Sequence, residues 1–162
     1  MTCSGGLCHG ATYKAADYCI QCPTGTVSPD NEHRLSCDAC GPGRFASYDA
    51  MQEYGLQLQE ECVSCPTGWF SDAPKNGYCK PCPLGKFQEG EGMTTCESCP
   101  AGFYQDTGTD GADECKSCRA GTFSSVQESS FCIVCKEGEY QERDESTNCR
   151  LCKPKYYNKH TG

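Results

Sequence analysis

An aromatic residue recurs along the chain at nearly even intervals: Phe45, Phe70, Phe87, Tyr104, Phe123, Tyr140 and Tyr157, with Val27 in the same register. Two residues before it stands a glycine in all but the last case: Gly25, Gly43, Gly68, Gly85, Gly102, Gly121 and Gly138. The stretches between are polar and turn-rich, as in Gln88-Glu89-Gly90-Glu91-Gly92 and Gln105-Asp106-Thr107-Gly108. Most of the early glycines sit in Pro-x-Gly, where proline sets φ near about −65° and glycine tolerates φ > 0, so each is a turn with a mechanism. The pattern predicts a chain of irregular hairpins: a turn, a short strand opening at the aromatic, a polar turn and a short strand back. One ring per unit then forms a miniature core. These aromatics read as structural cover, not as a ladder for stacking a ligand.

The same period is marked by eight Cys-x-x-Cys pairs: Cys19/Cys22, Cys37/Cys40, Cys62/Cys65, Cys79/Cys82, Cys96/Cys99, Cys115/Cys118, Cys132/Cys135 and Cys149/Cys152. A fixed period of this kind signals a repeat architecture. It divides the chain into a partial unit at 1–21, repeats at 22–39, 40–64, 65–81, 82–98, 99–117, 118–134 and 135–151, and a truncated repeat at 152–162. The 40–64 repeat carries an insertion, in which residues 48–61 (YDAMQEYGLQLQEE) lack proline and could hold a short helical turn, weakened by Gly55. Cys3 and Cys8 read as a stretched version of the motif, with Tyr13 in the aromatic position. The array reads as open at both ends, an excerpt of a longer repeat protein.

Composition sharpens this picture. Cysteine supplies 18 of 162 residues, the level of a disulfide scaffold, while Phe, Leu, Val and Ile together supply only 18. Too little apolar surface is available for an ordinary core, so crosslinks must order the chain; each is worth about 3 kcal/mol for a loop of about 15 residues. Persistent disulfides imply an oxidising compartment, so the segment is expected to be extracellular or on a cell surface. The N-terminus has no signal-peptide pattern, and no stretch has the length of a membrane span. A net charge of −8 argues against nucleic acid as partner. Arg150, Lys153, Lys155 and Lys159 form a basic tail, read as solvated surface.

Pairing within a unit would join the second cysteine of one motif to the first of the next. That pattern is Cys8–Cys19, Cys22–Cys37, Cys40–Cys62, Cys65–Cys79, Cys82–Cys96, Cys99–Cys115, Cys118–Cys132 and Cys135–Cys149, with Cys3 and Cys152 unpaired within the segment. A skipping pattern like that of epidermal-growth-factor modules remains open, as does a strained bridge within Cys-x-x-Cys, because spacing does not settle connectivity.

The unit Cys-x-x-Cys-Pro-x-Gly-x-Phe/Tyr stands out in Cys65-Pro66-Thr67-Gly68-Trp69-Phe70, Cys82-Pro83-Leu84-Gly85-Lys86-Phe87 and Cys99-Pro100-Ala101-Gly102-Phe103-Tyr104. It resembles the ephrin-receptor-like (GCC2/GCC3) cysteine-rich repeat, in the looser group that includes the modules of tumour-necrosis-factor receptors. Arg119, Lys136 and Lys153 depart from the pattern in place of proline, and Lys155 in place of glycine. The resemblance implies a small disulfide-rich fold, mostly irregular with short β-hairpins, arranged as an elongated tandem-repeat rod without a conventional hydrophobic core. It implies no catalytic residue.

Three functional readings follow. The first is a structural or adhesive stalk or filament segment whose repeats contact only sequential neighbours. Its partners would be other protein chains or further repeats of the same chain, with Trp69, Phe103 and Tyr156 as candidate contact residues or, equally, local cover over a disulfide. The second is a ligand-binding ectodomain of a receptor. The third is an intracellular zinc protein, since neighbouring Cys-x-x-Cys pairs could supply four thiolates; the Pro-x-Gly turns and the open series argue against it. No enzymatic activity is expected, because His9, His33 and His160 are scattered with no nucleophile and orienting group. Residues 106–111 (DTGTDG) have acidic calcium-loop character; Gly108 and Ser117 occupy ligand positions and exclude an EF-hand, while weak calcium binding there stays an open alternative. Neither a cofactor nor a metal is expected. No Asn-x-Ser/Thr acceptor is present.

Overall fold

The computed structural model describes residues 12–15, 18–28, 36–46 and 61–153. Among them there is no helix; sixteen short strands pair into eight two-stranded sheets. The insertion expected to hold a helical turn lies outside the described residues, apart from Glu61.

The first hairpin pairs β1 (Thr12–Ala15) with β2 (Tyr18–Gln21), and the rest use strands of two residues. They are β3 (Thr26–Val27) with β4 (Asp38–Ala39), β5 (Arg44–Phe45) with β6 (Val63–Ser64), and β7 (Trp69–Phe70) with β8 (Lys80–Pro81). Next come β9 (Lys86–Phe87) with β10 (Glu97–Ser98), and β11 (Phe103–Tyr104) with β12 (Lys116–Ser117). The last two are β13 (Thr122–Phe123) with β14 (Ile133–Val134), and β15 (Glu139–Tyr140) with β16 (Arg150–Leu151). The returning strand is formed by the two residues inside each Cys-x-x-Cys. A two-stranded hairpin this short is not stable alone, so crosslinks and contacts between repeats must hold it.

Both are present. Disulfides join Cys22–Cys37, Cys40–Cys62, Cys65–Cys79, Cys82–Cys96, Cys99–Cys115, Cys118–Cys132 and Cys135–Cys149. Each closes a loop 14 to 22 residues long, with Cα atoms 5.6–5.8 Å apart. Cys152 is the free cysteine among the described residues. Cys3 and Cys8 lie outside them, as does the side chain of Cys19.

The turn that opens each hairpin runs from the proline position to the residue after the glycine. Trp69 N–H donates to Pro66 O at 3.1 Å, Lys86 to Pro83 at 3.0 Å and Phe103 to Pro100 at 3.1 Å. Glycine is the third residue of this turn, with φ of 80° at Gly68, 76° at Gly85 and 91° at Gly102. A turn with positive φ at its third residue selects glycine there. Proline occupies the first position, so its ring does not set the central dihedrals, contrary to the sequence-based expectation. That is why Gly41, Arg119 and Lys136 can replace it while the same turn bond forms: Arg44 to Gly41 O at 3.2 Å, Thr122 to Arg119 O at 2.9 Å and Glu139 to Lys136 O at 2.9 Å.

The chain separates into two compact units, one running through Lys80 and taking in Gly90–Thr95, the other comprising Pro81–Glu89 and the chain from Cys96 onward. In both, the buried residues differ from the expected aromatic core. Phe45, Phe70, Phe87, Tyr104, Phe123 and Tyr140 are only half-buried. The interior is cysteine, with Val27, Ala46 and Ala112 and the polar side chains of Ser28, Ser71, Gln88, Gln105 and Ser124. Two-residue strands are too short to lay a ring across a neighbour, and the space between repeats admits only small or hydrogen-bonded side chains.

Candidate functional site

The recurring arrangement in both units is a clasp between repeats, built almost wholly from backbone. Its first part is the residue after each aromatic: Ala46, Ser71, Gln105, Ser124 and Gln141. The carbonyl of this residue accepts the turn-glycine N–H of the preceding repeat: Gly25 to Ala46 O (2.7 Å) and Gly43 to Ser71 O (2.8 Å) in the first unit. In the second unit the bonds are Gly85 to Gln105 O (2.9 Å), Gly102 to Ser124 O (2.8 Å) and Gly121 to Gln141 O (2.8 Å). The N–H of the same position donates forward to the next repeat, as in Ala46 to Asn76 O (3.3 Å), Ser71 to Met93 O (3.1 Å), Gln105 to Ser129 O (3.0 Å) and Ser124 to Ser146 O (3.1 Å).

The second part is a residue in the left-handed region: Lys75 (φ 62°), Gly92 (68°), Gly111 (70°), Glu128 (59°) and Glu145 (59°). Four of them donate their N–H to the cysteine that opens the preceding repeat, the second of its Cys-x-x-Cys motif: Lys75 to Cys40 O (2.8 Å), Gly92 to Cys65 O (2.7 Å), Glu128 to Cys99 O (3.0 Å) and Glu145 to Cys118 O (2.7 Å). Their own carbonyls lie against the turn glycine two repeats back. A Cβ on Gly25 would stand 2.0 Å from Lys75 O, one on Gly43 1.9 Å from Gly92 O, one on Gly85 2.2 Å from Glu128 O and one on Gly102 2.4 Å from Glu145 O. The glycine is therefore required twice, by its dihedral and by the close approach. This corrects the expectation that repeats touch only sequential neighbours: each clasp spans three consecutive repeats.

Side chains trim the clasp. Gln105, 3% exposed, donates from Nε2 to Glu114 O (2.8 Å), and its Oε1 accepts from Thr107 N and Oγ1 (both 2.7 Å). Ser71 Oγ accepts from Asn76 Nδ2 at 2.7 Å, and Ser124 Oγ donates to Val126 O at 3.0 Å. No described buried side-chain N or O atom lacks a hydrogen-bond partner. Carboxylates take two loop amides in the later repeats: Lys136, standing in place of proline, donates its N–H to Glu139 Oε2 at 3.4 Å, and Ala120 N–H donates to Asp144 Oδ1 at 2.7 Å.

Ion pairs lie on the surface. Lys80 pairs with Asp72 (2.9 Å) and lies 5.9 Å from the Phe70 ring centre; Lys116 pairs with Asp106 and lies 6.0 Å from the Tyr104 ring. These hydrogen bonds hold the Asp72 and Asp106 carboxyls below the usual aspartate range and raise Lys116. Glu128 is lowered by its hydrogen bond from Ser98 (2.6 Å) and then by Lys86 (3.3 Å). All are solvent-facing, so each pair contributes little to stability.

Of the proposed contact residues, Trp69 and Phe103 are half-buried at the start of β7 and β11, and Tyr156 lies outside the described residues. Among the described residues the most exposed large apolar side chains are Leu151 (78%), Tyr78 (68%) and Phe131 (64%), which the sequence pattern did not single out. Among the described residues no group of His, Cys, Asp and Glu is placed to hold a metal ion. Asp106, in the acidic loop considered for calcium, is occupied by Lys116. His9, His33 and His160 lie outside the described residues. Sequence reasoning missed the buried polar position, although its signal was present: Ser28, Ser71, Gln88, Gln105, Ser124 and Gln141 each follow the aromatic or its Val27 equivalent.

A comparison with curated proteins finds no match. Against family models, residues 53–94, 85–130 and 121–162 each match one described as tyrosine-protein kinase ephrin type A/B receptor-like. Each matched segment extends beyond a single disulfide loop. Tandem repeats of this type, crosslinked once per loop, suit an oxidising, extracellular setting, and the chain belongs to the ephrin-receptor-like family of cysteine-rich repeats.

Proposed function

We propose that the chain is a non-enzymatic spacer, a segment of an extracellular stalk or filament that holds other parts of an assembly apart. Its partners are other protein chains or further repeats of the same kind. The observation that supports this reading is the three-repeat clasp. In the second unit, Glu128 donates its N–H to Cys99 O, and its carbonyl packs against the Gly85 turn so closely that a Cβ there would not fit. Bending at one junction must therefore break contacts at the next, so stiffness arises without a hydrophobic core.

Small-angle scattering on the oxidised monomer tests the proposal. A compact globule of this length has a radius of gyration of about 15 Å. The spacer reading expects a clearly larger value that is unchanged by salt. A value near that of the globule would overturn it.

A further inference from the structure

The disulfides are asymmetric. The second cysteine of each motif is almost fully buried: Cys22 is 5% exposed, Cys135 3%, and Cys40, Cys65, Cys82, Cys99 and Cys118 0%. Its bridge partner, the first cysteine of the next motif, is half-buried at Cys37, Cys62, Cys96, Cys115, Cys132 and Cys149. Cys79, at 8%, is the exception, so Cys65–Cys79 is buried at both ends.

The clasp explains the difference. Cys40, Cys65, Cys99 and Cys118 each donate their N–H to a turn-glycine carbonyl at 2.9 Å and accept the N–H of a left-handed residue in the following repeat. The second cysteine is thus held at the centre of the stack and the first at its margin.

We infer that six of these bridges are exchange sites of a single polarity for small monothiols. The thiolate of the small molecule attacks the Sγ of the first cysteine, for example Cys115. A sulfur–sulfur bond forms between reagent and Cys115, the Cys99–Cys115 bond breaks, and its electron pair leaves on Cys99 Sγ, which takes a proton from solvent. Attack from the other end is blocked, because thiol–disulfide exchange depends on which sulfur the nucleophile can reach.

The reverse step is favoured by the same geometry. The expelled sulfur stays in a buried position; Cys99, for example, is 0% exposed. Backbone bonds on both sides keep it beside the mixed disulfide, where it re-attacks Cys115 and expels the small thiol. The ladder takes up thiols at its margin and reseals when they are removed. Cys65–Cys79 offers no entry and opens last.

The test is made on the oxidised 162-residue chain with every free thiol, Cys152 included, alkylated beforehand. The protein is exposed to excess glutathione, quenched in denaturant containing a second alkylating reagent of different mass so that buried thiols are labelled, and mapped by peptide mass spectrometry. Glutathione is expected on Cys37, Cys62, Cys96, Cys115, Cys132 and Cys149, and the second alkyl group on their partners, by about tenfold or more over the opposite arrangement. Cys65–Cys79 should stay intact longest. Equal labelling of both ends, the opposite polarity, or early opening of Cys65–Cys79 would overturn the inference. So would a polarity that persists in guanidinium, where burial is gone and only local sequence remains.

Discussion

Replacing Gly85 by alanine tests the clasp at one atom. The new Cβ would stand 2.2 Å from Glu128 O, 2.4 Å from its carbonyl carbon and 2.8 Å from its Cα, all backbone, so no side-chain rotation relieves it. The residue would also have to hold φ at 76°. The matched control is Gly138→Ala, at φ 82° with nothing within 4 Å of the built Cβ. The control isolates the left-handed penalty, about 1–2 kcal/mol for an L-residue. Gly85→Ala adds about 1–3 kcal/mol of overpacking. If Glu128 is pushed off Cys99 O, the lost hydrogen bond adds about 1 kcal/mol. The expected costs are therefore about 1–2 kcal/mol for the control and about 3–6 kcal/mol for Gly85→Ala. Guanidinium unfolding with disulfides intact measures both, and amide exchange at Glu128 should accelerate only in Gly85→Ala. Equal costs for the two substitutions would refute the clasp, since dihedral strain alone would then account for both glycines.

Glu145 holds φ at 59° with a side chain that favours other regions, so Glu145→Asn should raise the guanidinium midpoint by up to about 1 kcal/mol of stability. Gln105→Ala strips partners from Glu114 O and Thr107 and should cost about 1–3 kcal/mol by the same assay. The depressed Asp72, Asp106 and Glu128 carboxyls contribute stability that is present above the ordinary carboxylate pKa and fades as pH falls through their lowered values. Lys116, raised, has the opposite sign: its contribution holds below the ordinary lysine value and is lost as pH rises beyond it. Because these groups face solvent, NMR titration is the better readout: Lys116→Met should bring the Asp106 pKa back up, and an unchanged Asp106 would contradict the pairing.

The hairpin series and its turns were legible in the sequence because they depend on residue type: only glycine fits a positive φ with a carbonyl against it, and cysteine spacing marks each loop. The clasp was not legible. The residues at its left-handed position are Lys75, Gly92, Gly111, Glu128 and Glu145, which share no chemistry. They act through N–H and C=O, which every one of them carries, so selection on the side chain is weak and no motif results. The aromatic period, in contrast, was visible but over-read. Phe70 and Tyr104 are half-buried beside Lys80 and Lys116, while the interior positions go to the smaller or hydrogen-bonded Ser71 and Gln105 that follow them.

The fold depends most heavily on one crosslink per repeat, joining consecutive motifs. Disulfide mapping of the unreduced protein by mass spectrometry addresses this directly. It should return Cys22–Cys37, Cys40–Cys62, Cys65–Cys79, Cys82–Cys96, Cys99–Cys115, Cys118–Cys132 and Cys135–Cys149. Bridges within a Cys-x-x-Cys, bridges that skip a motif, or free thiols throughout with bound zinc would contradict it.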